Sequence, residues 1–382
     1  MQVIIGPRES LLKPLMVVSG VIESHPPMAI LSNVLIRKEG SDVAFTGSNN
    51  EVQIRTHASI GAEGDPAAFT VSSRKILDLF KVLPNTEVTV SLSAPKRGIS
   101  AEGGNQFSQK MEVKTATSRF SLQTIPAADY PAFPQEEFTN KVTVAADKLR
   151  YLLGLVHYAM AVQDIRYFLN GIRLEVKDRT IRAVATDGRR LALCDIAMDG
   201  EEDAAPVSAT IPRRTVAELR RLLPDSDAPV TLEISEKQAR FTFDGIELTT
   251  KLLEGKYPDY ARVIPQNNDK LFLVDREALL GALHRTAVLT SDKFKGVRWM
   301  LNPGLLSVQS TNSEQEEGND EIEVDYKGDP IDIGFNVDFL SDVLGSLKCE
   351  KVKVALSGPQ GSALITMPDS DTFKYVLMPM RL

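Results

Sequence analysis

Apolar residues fall at helical spacing in three long segments: residues 8–22 (RESLLKPLMVVSGVI), 146–160 (ADKLRYLLGLVHYAM) and 275–289 (DREALLGALHRTAVL). Each sets leucine pairs on one face and charges on the other, which predicts an amphipathic helix. After each helix the period changes to two. NVLIRKEGSDVAFTGSNNEVQIRTHA, GIRLEVKDRTIRAVATDGRRLALCDIA and GVRWMLNPGLLSVQSTNSEQEEGNDEIEVDY correspond in order, with turn residues breaking the alternation at 39–42, 177–179 and 302–304. A second helix is predicted in each third, from VSSRKILDLFKVLP, IPRRTVAELRRLLP and FNVDFLSDVLGSLK. Clean β-branched alternation follows it in EVTVSL, PVTLEI and KVKVAL.

The plan therefore occurs three times. Its period is too long for a solenoid unit and marks repeated domains. The first two copies end in Tyr-Pro segments, residues 124–134 and 252–265, which read as extended linkers. Boundaries near 138 and 267 give three domains, 1–137, 138–266 and 267–382. The fold class is α+β, with two helices and mostly antiparallel sheets in each domain. A parallel α/β plan fits less well, because helices do not alternate one-for-one with strands. Residues 93–110 (SAPKRGISAEGGNQFSQK) are polar and rich in Gly and Ser, and read as a mobile loop between two strands.

Composition narrows the class. The 382 residues are 43% hydrophobic and 25% charged, ordinary for a globular protein. The two cysteines, Cys194 and Cys349, form neither a disulfide framework nor a zinc spacing, and suit a reducing cytosol. The N-terminus lacks the basic and apolar regions of a signal peptide, and no apolar run approaches the roughly 20 residues of a membrane span. A cytoplasmic location is expected.

The net charge of −7 argues on average against nucleic acid. Its distribution does not. The six helix candidates together carry +6, so the remainder carries −13. If the helices face one side, that side attracts phosphate and the other repels it. The bland alternative is that helices favour Lys and Arg on solvated faces.

Several stretches then carry a specific likeness: AVQDIRYFLNGI (161–172), VATDGRRLAL (184–193), YPDYARVIP (257–265), KFKGVRW (293–299), IGFNVDFLSDVL (333–344) and YVLMPMRL (375–382). Along its whole length the chain resembles the bacterial DNA polymerase III beta subunits, the sliding-clamp family. The resemblance implies a DNA clamp fold that closes as a homodimer into a six-domain ring, with helices lining the hole and sheets outside. It implies a non-catalytic processivity factor that encircles duplex DNA without regard to sequence. The implied partners are the catalytic subunit of the replicative polymerase, a clamp loader complex, and other polymerases and repair proteins that dock through short apolar peptides. No cofactor, metal or membrane is implied. The assembly is dimensionally reasonable. Domains of this size have a diameter of about 36 Å, so six in a ring leave a hole of roughly 36 Å and four only about 15 Å. Duplex DNA is about 20 Å wide.

The residues matching the family's partner-peptide pocket are Leu169, Thr186, Gly188, Arg189, Arg190, Leu191, Pro258, Arg262, Val263, Asn336, Phe339, Ser362, Val376, Met378, Pro379, Met380 and Arg381. Leu, Val, Pro and Met supply an adaptable apolar surface, with Arg190 and Arg262 expected to fix the peptide's polar groups. Arg189 stands where the family often has His, and Phe339 where it often has Tyr. Candidate DNA contacts are Arg74, Lys75, Arg150, Gln163, Arg213, Arg214 and His25, the last where the family often has Arg. Contacts of this kind reach phosphates and carry little sequence information. On the dimer interface, Phe120 and Leu122 are expected to meet Val288 and Leu289, with Lys75 and Arg119 opposite Glu314, Glu316 and Glu317. Most of EQEEGNDEIE otherwise reads as a solvated loop.

Two rival classes are weaker. An enzyme needs a nucleophile with a base, paired acids or metal ligands, but the four histidines are scattered. Thr186-Asp187-Gly188-Arg189 is a tight turn without the glycine-rich cradle of a phosphate loop. A sequence-specific regulator needs a base-reading recognition helix, and the acidity argues against one.

Overall fold

The computed structural model describes residues 1–94, 96–99, 105–198, 205–291 and 294–381. Every helix predicted from the periodicity is present, each somewhat shorter than its apolar stripe. They are α1 (Arg8–Ser19), α2 (Ser73–Val82), α3 (Ala146–Val156), α4 (Arg213–Leu222), α5 (Arg276–Ala287) and α6 (Val337–Ser346). Helix α1 stops before Gly20, where the Ser19 hydroxyl folds back onto the Leu15 carbonyl at 2.6 Å. Helix α3 tightens into a 3-10 turn, His157–Ala159. Asp275 lies outside α5 and caps it, its carboxylate accepting from the Ala278 amide at 2.7 Å. Asn336 caps α6 in the same way through the Asp338 and Phe339 amides. The buried stripes are those the spacing predicts: Leu11, Leu15 and Val18 in α1; Leu149, Leu152, Leu153 and Val156 in α3; Leu279, Ala282 and Leu283 in α5. Each buried leucine contributes about 1.5–3 kcal/mol.

Among the described residues, all paired strands run antiparallel. Two compact units emerge, Met1–Ala145 with Ala217–Lys251, and Ala146–Val216 with Leu252–Leu382. In the first, twelve strands form one sheet. Val52–Ser59, from the first third of the chain, pairs directly with Ile246–Lys251 from the middle third. In the second, an eight-stranded sheet joins Arg190–Ala197 to Ser370–Leu377, and a separate four-stranded sheet holds Gly296–Asn302 and its neighbours. The middle third is thus divided between the units, because its outer strands find lateral partners on either side. The alternation in Glu87–Leu92, Pro229–Ile234 and Lys351–Leu356 buries alternate residues, such as Val230, Leu232 and Ile234.

Three expectations need correction. Glu317–Glu323, read as loop, is a strand paired with Leu305–Thr311. Within 93–110, Lys96–Ile99 pairs with Asn105–Ser108 as a small hairpin, while residues 95 and 100–104 lie outside the described residues. The Tyr-Pro segments are more than linkers. Each contains a 3-10 turn, Ala127–Asp129 or Tyr260–Val263, and each buries its tyrosine in a core cluster. No helix among the described residues is long and apolar enough to cross a membrane.

Candidate partner-docking pocket and DNA-facing residues

The pocket residues converge within the second unit. Strand Arg190–Ala197 lies beside Ser370–Leu377, which sets Leu191 opposite Val376 and Arg190 opposite Leu377. The turn before it is closed by its own side chains. The Thr186 hydroxyl accepts from the Gly188 amide at 3.1 Å, and Asp187 Oδ1 accepts from the Arg189 and Arg190 amides at 2.9 and 3.0 Å. Gly188 has φ +88°, which a glycine adopts without strain. Beyond the last strand, the Met378 amide donates to the Arg189 carbonyl at 3.0 Å and the Met380 amide to the Gly334 carbonyl at 2.8 Å. These bonds fix the segment carrying Met378, Pro379, Met380 and Arg381 between the turn and the strand Ile331–Asn336.

Leu169, Leu191 and Val376 belong to one buried cluster with Ala161, Val184, Leu193 and Tyr257. Phe168, Tyr260, Ile264 and Leu364 pack on it from the side. The segments that supply the cluster also expose apolar side chains, Val263 at 48% and Met378 at 49%. Pro258 follows the buried Tyr257, whose hydroxyl reaches the Val184 carbonyl at 3.3 Å. Burial pushes that phenol well above its ordinary pKa. Ser362 immediately precedes the strand Ala363–Met367.

Arg190 is bound within the chain. Its side chain is only 9% exposed and its guanidinium is engaged within the chain. Nε bonds Asp187 at 3.1 Å, Nη1 bonds Asp342 at 2.6 Å and Nη2 bonds the Tyr158 carbonyl at 2.5 Å. The group also stacks over the Phe339 ring, 4.1 Å from its centroid. Arg190 is therefore a strut that ties the turn to α6. Arg262 is the reverse case, with its side chain 85% exposed and an ion pair to Asp259 at its own turn. The sequence reading missed Tyr158, Asp187 and Asp342 as parts of this wall. No sequence signal links Asp342 to a residue 152 positions away.

The DNA candidates sit on solvated surfaces. Arg74 and Lys75 are exposed on α2, and Arg74 stands 3.8 Å from Asp78. His25 is exposed in the segment after α1, and Arg150 is exposed on α3. Gln163 is exposed with φ +53°, in a loop pinned by Asp164, Arg166 and Asn170. Arg213 donates to the Met160 carbonyl at the base of that loop, at 3.3 Å. Arg214 beside it is half-buried. The loop also exposes Val162, Ile165 and Tyr167, an apolar surface the sequence reading passed over.

Of the dimer candidates, Phe120 is exposed on the strand Arg119–Pro126 and Leu122 is half-exposed. Val288 is 78% exposed just past α5, where Leu289 lies beside Gly318. Lys75 is the neighbour of Arg74 on α2. Arg119 is already held by both oxygens of Glu112, at 2.8 and 2.9 Å. Glu316 accepts from Asn312, Glu314 is exposed, and Glu317 opens the acidic strand.

Comparison with known proteins agrees with this architecture. Residues 1–134, 143–259 and 261–381 match, in order, the N-terminal, central and C-terminal domains of the DNA polymerase III beta subunit. The beta sliding clamp of Pseudomonas aeruginosa is 41% identical over 376 residues, 98% of each chain. That of Pseudomonas putida is 40% identical over 375 residues, again 98% of each. The crystal structure of the Pseudomonas aeruginosa DNA polymerase sliding clamp with ligand superposes with a TM-score of 0.92, at 39% identity and with both chains fully covered. With three domain matches in the right order and relatives alike from end to end, the chain belongs to the family of bacterial DNA polymerase III beta subunits, the beta sliding clamps.

Proposed function

We propose that two copies of this chain, each contributing domains 1–137, 138–266 and 267–382, close into a ring around duplex DNA and hold DNA polymerase III to it by enclosure. The chain acts through binding alone. Its contacts with DNA are the exposed Arg74, Lys75, Arg150, Arg213 and Gln163, with Arg214 and His25 at their side. Such contacts are to phosphates, weak and indifferent to sequence. A clamp that must slide needs attraction of that kind, because tight base readout would arrest it. Opening of the ring falls to a separate ATP-driven loader.

The polymerase is held through the pocket, and the observation that carries this reading is a buried apolar cluster whose adjoining segments expose apolar side chains. Leu169, Leu191 and Val376 are buried together, while Val263, next to Ile264, and Met378, two residues beyond Val376, are exposed. A short extended peptide with one or two apolar anchors fits that surface, and methionine adapts to differing side chains. Arg262 is the group available to a peptide carboxylate, since Arg190 is occupied by the wall. The same pocket serves other polymerases and repair proteins in turn.

Retention on circular DNA tests the enclosure. The loaded protein should stay on a nicked circle and be lost when the circle is linearised. Equal retention on both would end the sliding claim. The pocket has its own test. Removing residues 378–382, the last of which lies outside the described residues, should abolish binding of a polymerase-derived peptide and leave the dimer intact.

A further inference from the structure

The repeat carries a second groove that the apolar pocket does not use. The turn at residues 48–52 duplicates the one at 186–190. The Ser48 hydroxyl accepts from the Asn50 amide at 3.2 Å, and Asn49 Oδ1 accepts from the Glu51 and Val52 amides at 3.1 and 2.9 Å. Asn50 takes φ +71°, as Gly188 takes +88°. Val52 stands opposite Thr250 as Arg190 stands opposite Leu377. This register equates Thr46 with Val184, Gln53 with Leu191, Arg55 with Leu193 and Thr249 with Val376. The first unit thus has the same construction with a polar floor. Over it lies a groove of 430 Å³, walled by the segment that follows Tyr130.

The chemistry of that groove favours negative charge. Arg37 and Arg55 are exposed along it, and among the described residues neither forms an ion pair. Arg240 stacks on Phe138 at 4.3 Å and is paired with Glu233. Two acids also line the groove. Glu136 accepts from the Ser235 hydroxyl at 2.5 Å. Glu247 stands opposite Arg55 across the paired strands, with no ion pair between them among the described residues. Arg37 is shared with a neighbouring cavity of 610 Å³, lined chiefly by Ala68, Pro126, Ala127 and Ala128. The two form one track, with small apolar surfaces at one end, the unpaired Arg37 and Arg55 along its middle and the paired Arg240 at the far end.

We infer that this track docks an extended, acidic segment of a partner protein, a small apolar side chain leading and carboxylates following onto Arg37 and Arg55. Guanidinium groups bind carboxylates through paired hydrogen bonds, and a pre-formed groove lowers the cost of ordering the segment. The inference does not depend on what occupies the pocket beside Met378.

The test uses the whole dimer and a fluorescein-labelled nine-residue peptide, one leucine followed by alternating glutamate and glycine. Anisotropy at low salt should show saturable binding that weakens as salt rises. The double variant Arg37→Glu, Arg55→Glu should lose at least about tenfold in affinity, while Arg37→Lys, Arg55→Lys should keep most of it. Met378→Asp should leave binding unchanged. No saturable binding, equal binding by the charge-reversed variant, loss on Met378→Asp, or displacement of the peptide by duplex DNA would each overturn the proposal. Circular dichroism of each variant separates these outcomes from misfolding.

Discussion

The guanidinium of Arg221 donates to the carbonyl oxygen of Val17 at 2.8 Å, and to that of Met16 at 3.2 Å. It thereby closes the C-terminal end of α1, where carbonyls have no intrahelical partner and the helix dipole favours a cation. Glu218 holds it there, at 2.6 Å. Gly20 leaves room for this pair, because a Cβ at that position would stand 2.4 Å from both Arg221 Nη2 and Glu218 Oε2 and would push the two side-chain ends aside. Gly20→Ala should therefore destabilise the protein by about 1–3 kcal/mol, as overpacking does. Arg221→Ala should cost about 2 kcal/mol. Since one substitution vacates the space the other crowds, the double variant should be more stable than the sum implies. Denaturant titration of the four proteins measures this, and strict additivity would refute the coupling.

That cap also shows where a sequence reading stops. Arg220 and Arg221 entered the sequence as two of the positive charges on α4, yet Arg221 is spent on backbone carbonyls about 200 positions away. Local features were legible. The leucine spacing gave the helices, the β-branched alternation gave the strands, and Thr-Asp-Gly-Arg gave the turn, because each is decided by neighbours in the chain. Glu317–Glu323 was not, since its burial alternates but two of its three inner positions, Gly318 and Asp320, are not apolar, which leaves Ile322 alone to mark the inner face. Tyr130 and Tyr257 were not, because proline beside them signals extension and says nothing of what the ring packs on. In the pocket the apolar members followed from the family likeness, but the wall of Arg190, Asp187 and Asp342 depends on a contact that only folding creates.

That wall should be stiff and costly to break. Arg190→Ala takes the guanidinium from Asp187 Oδ2, on a side chain 18% exposed, and from the Tyr158 carbonyl, while Asp187 Oδ1 keeps its two backbone amides. Removing one member of a largely buried pair costs about 3 kcal/mol or more. Peptide affinity should fall as well, because Phe339 loses the group stacked on its ring. Asp342→Asn, at an exposed carboxylate, should have a small effect on both. Thermal denaturation and peptide titration of the two variants would separate a strut from a ligand. If Arg190→Ala weakened the peptide at unchanged stability, Arg190 would be a direct contact after all.

The loop that presents Gln163 should respond to acid. Two hydrogen bonds from the Arg166 guanidinium, at 2.8 and 2.9 Å, and one from its amide hold the Asp164 carboxyl down to about 2. An unfolded aspartate titrates near 3.9. The folded value is the lower one, so the stabilising contribution is present above about pH 4 and is lost as pH falls through about 2. Exchange of the Arg166 amide should accelerate over that interval, beyond the intrinsic change, and Asp164→Asn should remove the effect. A carboxyl titration midpoint near 4 by NMR would show that the loop is not held this way.

Closure of the ring should rest on apolar contact more than on charge. Val288 is 78% exposed and Phe120 38%, large apolar surfaces to leave in water. Burying such a side chain contributes about 1.5–3 kcal/mol, whereas an exposed ion pair gives about 0–1. Arg119 has still less to offer a partner, because Glu112 already occupies its guanidinium. Val288→Asp should yield a folded monomer at micromolar concentration by light scattering, and Phe120→Ser should weaken the dimer in the same sense. Lys75→Ala should leave it intact. The Val288→Asp monomer should still bind the polymerase peptide, since Leu169, Leu191, Val376 and Met378 all lie in one chain and one compact unit. It should not be retained on circular DNA, however, because a single chain encloses nothing. A monomer that stayed on circles would mean that retention comes from adhesion to the duplex and that enclosure is not the mechanism.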